Sequence, residues 1–427
     1  MAYISSAADQ ASEDTAPPVS RGYAWMVFAV CFGMLISDYM SRQVLNAVFP
    51  LLKAEWVLSD SRLGILSGVV ALMVGVLTFP LSLLADRWGR VRSLALMAAL
   101  WSVATLGCAL AQDFGQMLLA RFLVGIGEAA YGSVGIAVVL SVFPRHLRAS
   151  LAGAFMAGGM LGSVLGMAIG GAVAAKVGWR WAFGGMACFG LLLAAICPLV
   201  VRESRPGATR EASRTPLSTL FAGRALCLTY VASGLQLFAG GACIAWMPSY
   251  FSRYYAMGTG RAGASAALVV LASGAGMILC GMLSDRLSRK RPAAKASLAA
   301  AYALGSALLL SVGLALPPGS AQLVLLGAGM FFAAGGSGPA GAIVADLSPA
   351  AIHGTAFATL TLANNLIGLA PGPFVIGVLA DRFGLDHAFQ ALPLASLAAA
   401  VLFAMVLRHY GADAARANAV RPEGGQA

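Results

Sequence analysis

Charge is scarce in this chain: only 11% of its 427 residues are Asp, Glu, Lys or Arg, against about a quarter in a soluble domain. An ordinary water-exposed surface is thereby excluded over most of its length. There is no Gly-Lys dipeptide, so no GxxxxGK[ST] phosphate loop exists, and an ATP-driven pump in one chain is excluded. Neither a GxSxG elbow nor an HExxH helix is present, and the chain reads as no enzyme, with no catalytic residues. The seven cysteines (Cys31, Cys108, Cys188, Cys197, Cys227, Cys243, Cys280) form no CxxC pair and lie in or beside apolar stretches, which reads as small buried hydrophobes. His146, His353, His387 and His409 lack ligand spacing, so no metal site and no cofactor is expected.

Apolar residues are what the chain has in excess, at 59%, with a mean hydropathy of +0.82. Runs of about 20 residues, long enough to cross a bilayer, recur roughly twelve times. They fall near 23–51, 62–85, 93–112, 115–143, 147–175, 180–201, 223–250, 262–284, 296–316, 320–345, 354–380 and 387–407. Backbone groups in hydrocarbon must be satisfied within the segment, and no run shows the alternation of a barrel strand, so each is predicted to be a helix. The predicted fold class is an all-α membrane protein with two pseudo-symmetric six-helix bundles.

Composition sets the expected divisions. Residues 1–21 are polar and read as a disordered cytoplasmic tail, 22–202 as the N-terminal bundle, and 203–222, rich in Arg, Ser, Thr and Pro, as a cytoplasmic linker. Residues 223–410 form the C-terminal bundle and 411–427 a second short tail. Gly162, Gly166, Gly171, Gly178 and Phe183 recur as Gly368, Gly372, Gly377, Gly384 and Phe389, each 206 residues on (162 to 368), which marks an internal duplication. Parallel halves around a midplane site are the architecture of secondary transporters.

An even number of spans leaves both ends on one side, and the basic residues choose it. Loops on the side of the termini carry Arg87, Arg90, Arg92, Arg145, Arg148 and nine further Arg and Lys up to Arg291, with Lys295 beyond; the opposite loops carry only Lys53, Arg62, Lys176, Arg180, Arg253, Arg261 and Arg382. Both termini are therefore expected in the cytoplasm of a cell inner (plasma) membrane. The net charge of +11 is read as loops facing anionic lipid, and nothing indicates a nucleic-acid partner.

One loop signature appears twice, as Ser82-Leu-Leu-Ala-Asp86-Arg87-Trp-Gly89-Arg90-Val-Arg92 and as Gly281-Met-Leu-Ser-Asp285-Arg286-Leu-Ser-Arg289-Lys290-Arg291. Both copies resemble the loop motif of the major facilitator superfamily, which implies the twelve-helix fold of that family, transport by alternating access and a monomer. Tyr39-Met-Ser-Arg42-Gln-Val-Leu45, Arg121-Phe-Leu-Val-Gly125-Ile-Gly127-Glu128 and Trp246-Met-Pro248-Ser-Tyr250 look like the anion:cation symporter branch, and also resemble the neighbouring Spinster-like lipid transporters. Those branches place an Asp immediately before the first-helix Arg. Here that position is Ser41, and Asp38, one turn earlier, is the candidate substitute.

Asp38, Arg42, Arg121 and Glu128 are the ionisable residues inside predicted spans. A charge at the bilayer centre costs at least about 2.5 kcal/mol, so such groups turn inward, pair up and are functional candidates. Arg42 is the candidate anchor for a substrate carboxylate, because a guanidinium keeps its charge and offers a planar fork. Glu128 is the candidate proton site, with Asp38 and Arg121 also assigned to proton coupling, since a carboxylic acid out of water takes up a proton more readily. The alternative is a set of static pairs, Arg121 with Glu128 and Asp38 with Arg42, knitting helices one and four. Tyr39, Asn46, Gln236, Asn364 and Asn365 are further substrate candidates, though each could instead satisfy a neighbouring helix.

Asp86, Arg87, Gly89, Arg90, Asp285, Arg286 and Arg289 are read as a gate, with Asp86 near His353 and Gly354 and Asp285 near Arg148. The expected function is proton-coupled symport of a small organic carboxylate, such as a sugar acid or aromatic acid, with protons and the lipid bilayer as its other partners. A lysolipid exporter, a proton-linked drug exporter and a non-transporting ligand sensor remain as alternatives.

Overall fold

The computed structural model describes residues 19–144, 147–202, 221, 223–289, 291, 293–349 and 352–419, excepting the side chains of residues 86, 149 and 417–419. The expected tail 1–18, the linker 203–220, Lys290, His146, the Asp86 side chain and residues 420–427 lie outside this description. Every regular element among the described residues is helical.

Twelve helices are long and apolar enough to cross a membrane: α1 Arg21–Trp56, α2 Asp60–Ala85, α3 Arg90–Leu110, α4 Phe114–Ser141, α5 Ser150–Val177, α6 Trp179–Val200, α7 Arg224–Tyr254, α8 Thr259–Ser288, α9 Ala294–Ala315, α10 Ser320–Leu347, α11 His353–Phe383 and α12 Leu385–Arg416. Ser20, Ser59 and Asp113 start α1, α2 and α4 by accepting hydrogen bonds from the main-chain N–H groups of Tyr23, Arg62 and Gln116. Gly89, Gly178 and Gly384, with φ of 101°, 101° and 87°, end α2, α5 and α11 in a conformation that other residues adopt at a cost. Five of the seven cysteines are buried as read from the sequence, whereas Cys188 is exposed and Cys227 half-buried.

The repeated glycines now have a physical role. A Cβ on Gly162 would meet Ile36 O of α1 at 2.6 Å, and one on Gly368 would meet Gly234 O of α7 at 2.5 Å. Gly166 and Gly372 do the same against Met40 O, at 2.7 Å, and Phe238 O, at 3.0 Å. Small residues let helix backbones touch where lipid provides no hydrophobic drive for packing. α5 thus holds α1 as α11 holds α7, and the register equates Ile36 with Gly234, Met40 with Phe238 and, midway between, Asp38 with Gln236.

Gly171 and Gly377 serve the contact between halves. Gly171 faces Thr259 O at 3.1 Å across the α5–α8 seam, and Gly377 faces Asp60 O at 2.5 Å across the α2–α11 seam. Both seams are tight toward the face opposite the termini, called the far face below. Toward the terminal face, Gly153, Gly281 and Gly354 have nothing within 4 Å of where a Cβ would stand. Among the described residues the backbone contacts between halves are tight at the far face.

Two helices depart from regularity at matching places. α4 is interrupted at Ala129 and Ala130 and α10 at Gly336, again 206 residues on (130 to 336). Residues Asn364–Leu369 of α11 form a π-helical turn ahead of Pro371. Such turns are often found at functional positions.

Candidate functional site

Glu128 is the last residue before the α4 interruption. The carbonyl freed at Ala129 accepts a 2.6 Å hydrogen bond from the Thr78 hydroxyl of α2, so the break is satisfied by protein as a membrane interior requires. α1, pressed against the α5 glycines, brings its own charged turn to the same point. Arg42 Nε lies 2.6 Å from Glu128 Oε2 and 3.4 Å from Asp38 Oδ1. Ser41 fills the position without an acid: its hydroxyl donates to Asp38 O at 2.7 Å and reaches Glu128 Oε1 at 3.4 Å.

The four intramembrane charges are thus brought together; of the two static pairs considered from sequence alone, Asp38 with Arg42 is present and Arg121 with Glu128 is not. Glu128 pairs with Arg42. Arg121, 2% exposed, instead donates to two main-chain carbonyls, Leu66 O at 3.3 Å and Ser41 O at 3.2 Å, tying α4 to α2 and α1. Asp38 does sit on Arg42 as its spacing suggested, sharing Nε with Glu128. Removing one member of such a cluster leaves its partner charged and uncompensated, which costs more than the intact cluster is worth.

Access differs sharply among the four. The side chains of Asp38 and Glu128 are 4% and 0% exposed, while Arg42 is 20% exposed. Both carboxylates stand at ion-pair distance from Nε, although neither contact is aligned as a hydrogen bond. The guanidinium also lies over the Tyr39 ring, 5.5 Å from its centroid. Arg42 therefore pairs with two buried acids while part of its own side chain stays exposed.

The remaining candidates divide. Asn46 has both amide ends engaged, donating to Gln43 Oε1 at 2.7 Å and accepting from the Ser67 hydroxyl at 3.3 Å, so it links α1 to α2. Asn364 accepts from the Ser233 hydroxyl at 2.7 Å, and Asn365 donates to Thr361 O at 2.9 Å, leaving its Oδ1 unpartnered. Gln236 is 4% exposed with neither amide atom partnered among the described residues. It holds the α7 register place of Asp38, and a Cβ on Gly336, at the α10 interruption, would lie 3.9 Å from its Cγ. A neutral amide thus faces the break in the second half where the acids face it in the first.

Of the gate residues, Arg87, Arg90, Asp285, Arg286, Arg289 and Arg148 are exposed at the terminal face, and Gly89 is the cap that ends α2. His353, expected near Asp86, has its ring Nε2 3.0 Å from Ser348 O.

Sequence reasoning missed Gln43 and Ser67, which carry no charge to flag them, and it missed a cluster at the far face. There Arg253 donates twice to Asp60, at 2.6 and 2.8 Å, Lys53 reaches the same carboxylate at 2.6 Å, and Asp381 accepts from the main-chain N–H of Asp60 and Ser61 at 2.6 and 2.9 Å. A signal was available for Asp381: Leu379-Ala-Asp-Arg-Phe-Gly384 repeats Leu84-Ala-Asp-Arg-Trp-Gly89 with one aromatic exchanged for another.

Twelve helices in two equivalent bundles, with a charged cluster at the interior break of α4, define a membrane transporter of the secondary type. The chain belongs to the Major Facilitator Superfamily, whose family model matches residues 30–337. It is 26% identical to protein spinster homolog 1 of Bos taurus, over 88% of this chain and 78% of that one. With the probable 4-methylmuconolactone transporter of Cupriavidus pinatubonensis it shares 27% identity, covering 89% of each chain. Its fold is similar to the crystal structure of a bacterial homolog to the human lysosomal transporter Spinster, inward-facing and unoccupied, with a TM-score of 0.78 at 20% identity over 95% of this chain and 100% of that one.

Proposed function

We propose that this transporter is a symporter of protons and a small organic carboxylate, working by alternating access as a monomer in a cell inner membrane with both termini in the cytoplasm. The observation that carries the reading is the placement of Arg42, whose Nε lies 2.6 Å from Glu128 and 3.4 Å from Asp38 while 20% of its side chain stays exposed, the edge offered to cargo. A carboxylate arriving at that edge adds one negative charge to a cluster that sums to zero. Proton uptake by Glu128 or Asp38 restores the balance, so cargo and proton favour one another's binding. Asp38 supplies the acid absent at Ser41, and Arg121, bound to carbonyls, acts as a fixed countercharge. Tyr39 beside the guanidinium, with Gln236, Asn364 and Asn365 across the cleft, contacts the rest of the cargo.

The loop residues Asp86, Arg87, Gly89, Arg90, Asp285, Arg286 and Arg289 hold the terminal face closed in the opposite state of the cycle. In that state an acid at a helix end faces the positive N-terminal end of a helix in the other half. The boundaries follow the same reading, with bundles at 22–202 and 223–410 joined by 203–222.

The decisive experiment is Glu128→Gln in reconstituted vesicles. Counterflow of cargo is expected to persist while uptake driven by a pH gradient is lost. Uptake that stays proton-driven removes Glu128 from the coupling role. A second reading, export of a lysolipid, is favoured by one observation: the buried cleft candidates of the second half, Gln236 and Asn365, are uncharged. Thermal stabilisation by lysolipids but not by sugar acids or aromatic acids would select it.

A further inference from the structure

α2 runs from the far face to the terminal face and α11 runs back, so the two form an antiparallel pair across the seam between halves. Each ends in a matching hexapeptide that differs only in Trp88 for Phe383: Leu84–Gly89 at the end of α2, whose helix continues to Trp88, and Leu379–Gly384 at the end of α11. Each closes with a glycine at positive φ whose N–H bonds the alanine carbonyl four residues back, Gly89 to Ala85 O at 3.1 Å and Gly384 to Ala380 O at 3.0 Å. The acid of the hexapeptide therefore falls in the last turn of each helix, and that of α11, Asp381, lies against the starting turn of α2.

We infer that Asp381, Asp60 and Arg253 form a far-face latch that holds the halves in the state seen here, the counterpart at the opposite face of the gate read from Asp86. This rests on the alternating-access part of the proposed function and not on cargo or proton.

The geometry is specific to a contact between halves. Asp381 of the C-terminal half uses both carboxylate oxygens on successive N–H groups of Asp60 and Ser61, the unsatisfied donors that begin α2. Arg253, also of the C-terminal half, grips the Asp60 side chain with two parallel bonds. Asp60 is 2% exposed, so these bonds are shielded from water as a surface pair is not. Lys53, on the same half as Asp60, accompanies it whether or not the halves separate. What is lost on opening the far face is thus Asp381 from the α2 start and Arg253 from Asp60. Gly377, one turn before Asp381, allows the approach, since a side chain there would strike Asp60 O.

The test is a distance measurement between spin labels on the full chain in lipid nanodiscs, in a background with Cys188 and Cys227 replaced by Ser. Labels at Val177 and Ser320, both exposed at far-face helix ends and one on each half, report the opening. Asp381→Asn and Asp60→Asn are expected to raise the ratio of long to short distances by about tenfold each. Arg253→Gln does the same from the other half, and Arg253→Lys, which keeps the charge, shifts the ratio less. Asp86→Asn, at the other end of the pair, shifts it toward short distances. If the three neutral far-face variants all retain the parent distribution, or if Asp86→Asn moves it in their direction, the latch is overturned. None of these readings needs cargo or a pH gradient, so failure of the symport reading and failure of the latch remain separate results.

Discussion

Arg42 shows how one side chain can serve two purposes because its charge is spread over a plane. Its Nε lies 2.6 and 3.4 Å from two buried acids, and on the proposed reading the rest of the guanidinium receives the anion, a division that an ammonium cannot make. Arg42→Lys preserves the charge and should preserve the fold. It is expected to weaken cargo binding by roughly tenfold or more, each factor of ten being about 1.4 kcal/mol, in a direct binding titration. Unchanged affinity would mean that the outer edge is not the anchor. Much of this was legible beforehand, because a charge inside an apolar run is conspicuous. The partner of Glu128 was not: Arg42 and Arg121 are both within reach of helix four in sequence terms. Only the rotation of α1, set by its bed of glycines on α5, decides between them.

Those glycines carry the argument at the level of helices. A methyl at Gly162 would stand 2.6 Å from Ile36 O and 2.9 Å from the Tyr39 Cβ, so α1 and α5 must separate to admit it. Gly162→Ala is expected to destabilise by about 1–3 kcal/mol, read as a lower unfolding temperature in detergent. Gly185→Ala, at a position with nothing within 4 Å, should leave that temperature unchanged and serves as the control. The twelve spans were readable from hydropathy because lipid demands length and apolarity. The interruption of α4 was not, since Ala129-Ala130 is compatible with an unbroken helix, whereas that of α10 falls among Gly335, Gly336, Gly338 and Pro339, which weaken a helix locally. The 206-residue repeat was visible, yet its meaning needed the structure: Gly162 and Gly368 bind helices within a half, whereas Gly171 and Gly377 sit on the seams between halves.

For the molecule as a whole, the sequence conveyed the duplication and the membrane class, and it pointed to a gate at the face of the termini. It did not convey which face is closed, because closure depends on relations between halves that no local pattern records. Asp60 and Asp381 fall just outside the predicted spans 62–85 and 354–380, 321 residues apart, and only the seam brings them together. The neutral sum of the buried quartet has an electrical consequence. A singly charged carboxylate crossing with one proton moves no net charge, so turnover neither produces current nor responds to voltage. In potassium-loaded liposomes a valinomycin diffusion potential should leave uptake unaltered, while one pH unit drives about tenfold accumulation. A cargo-dependent current on a supported membrane would show that the quartet does not keep its balance.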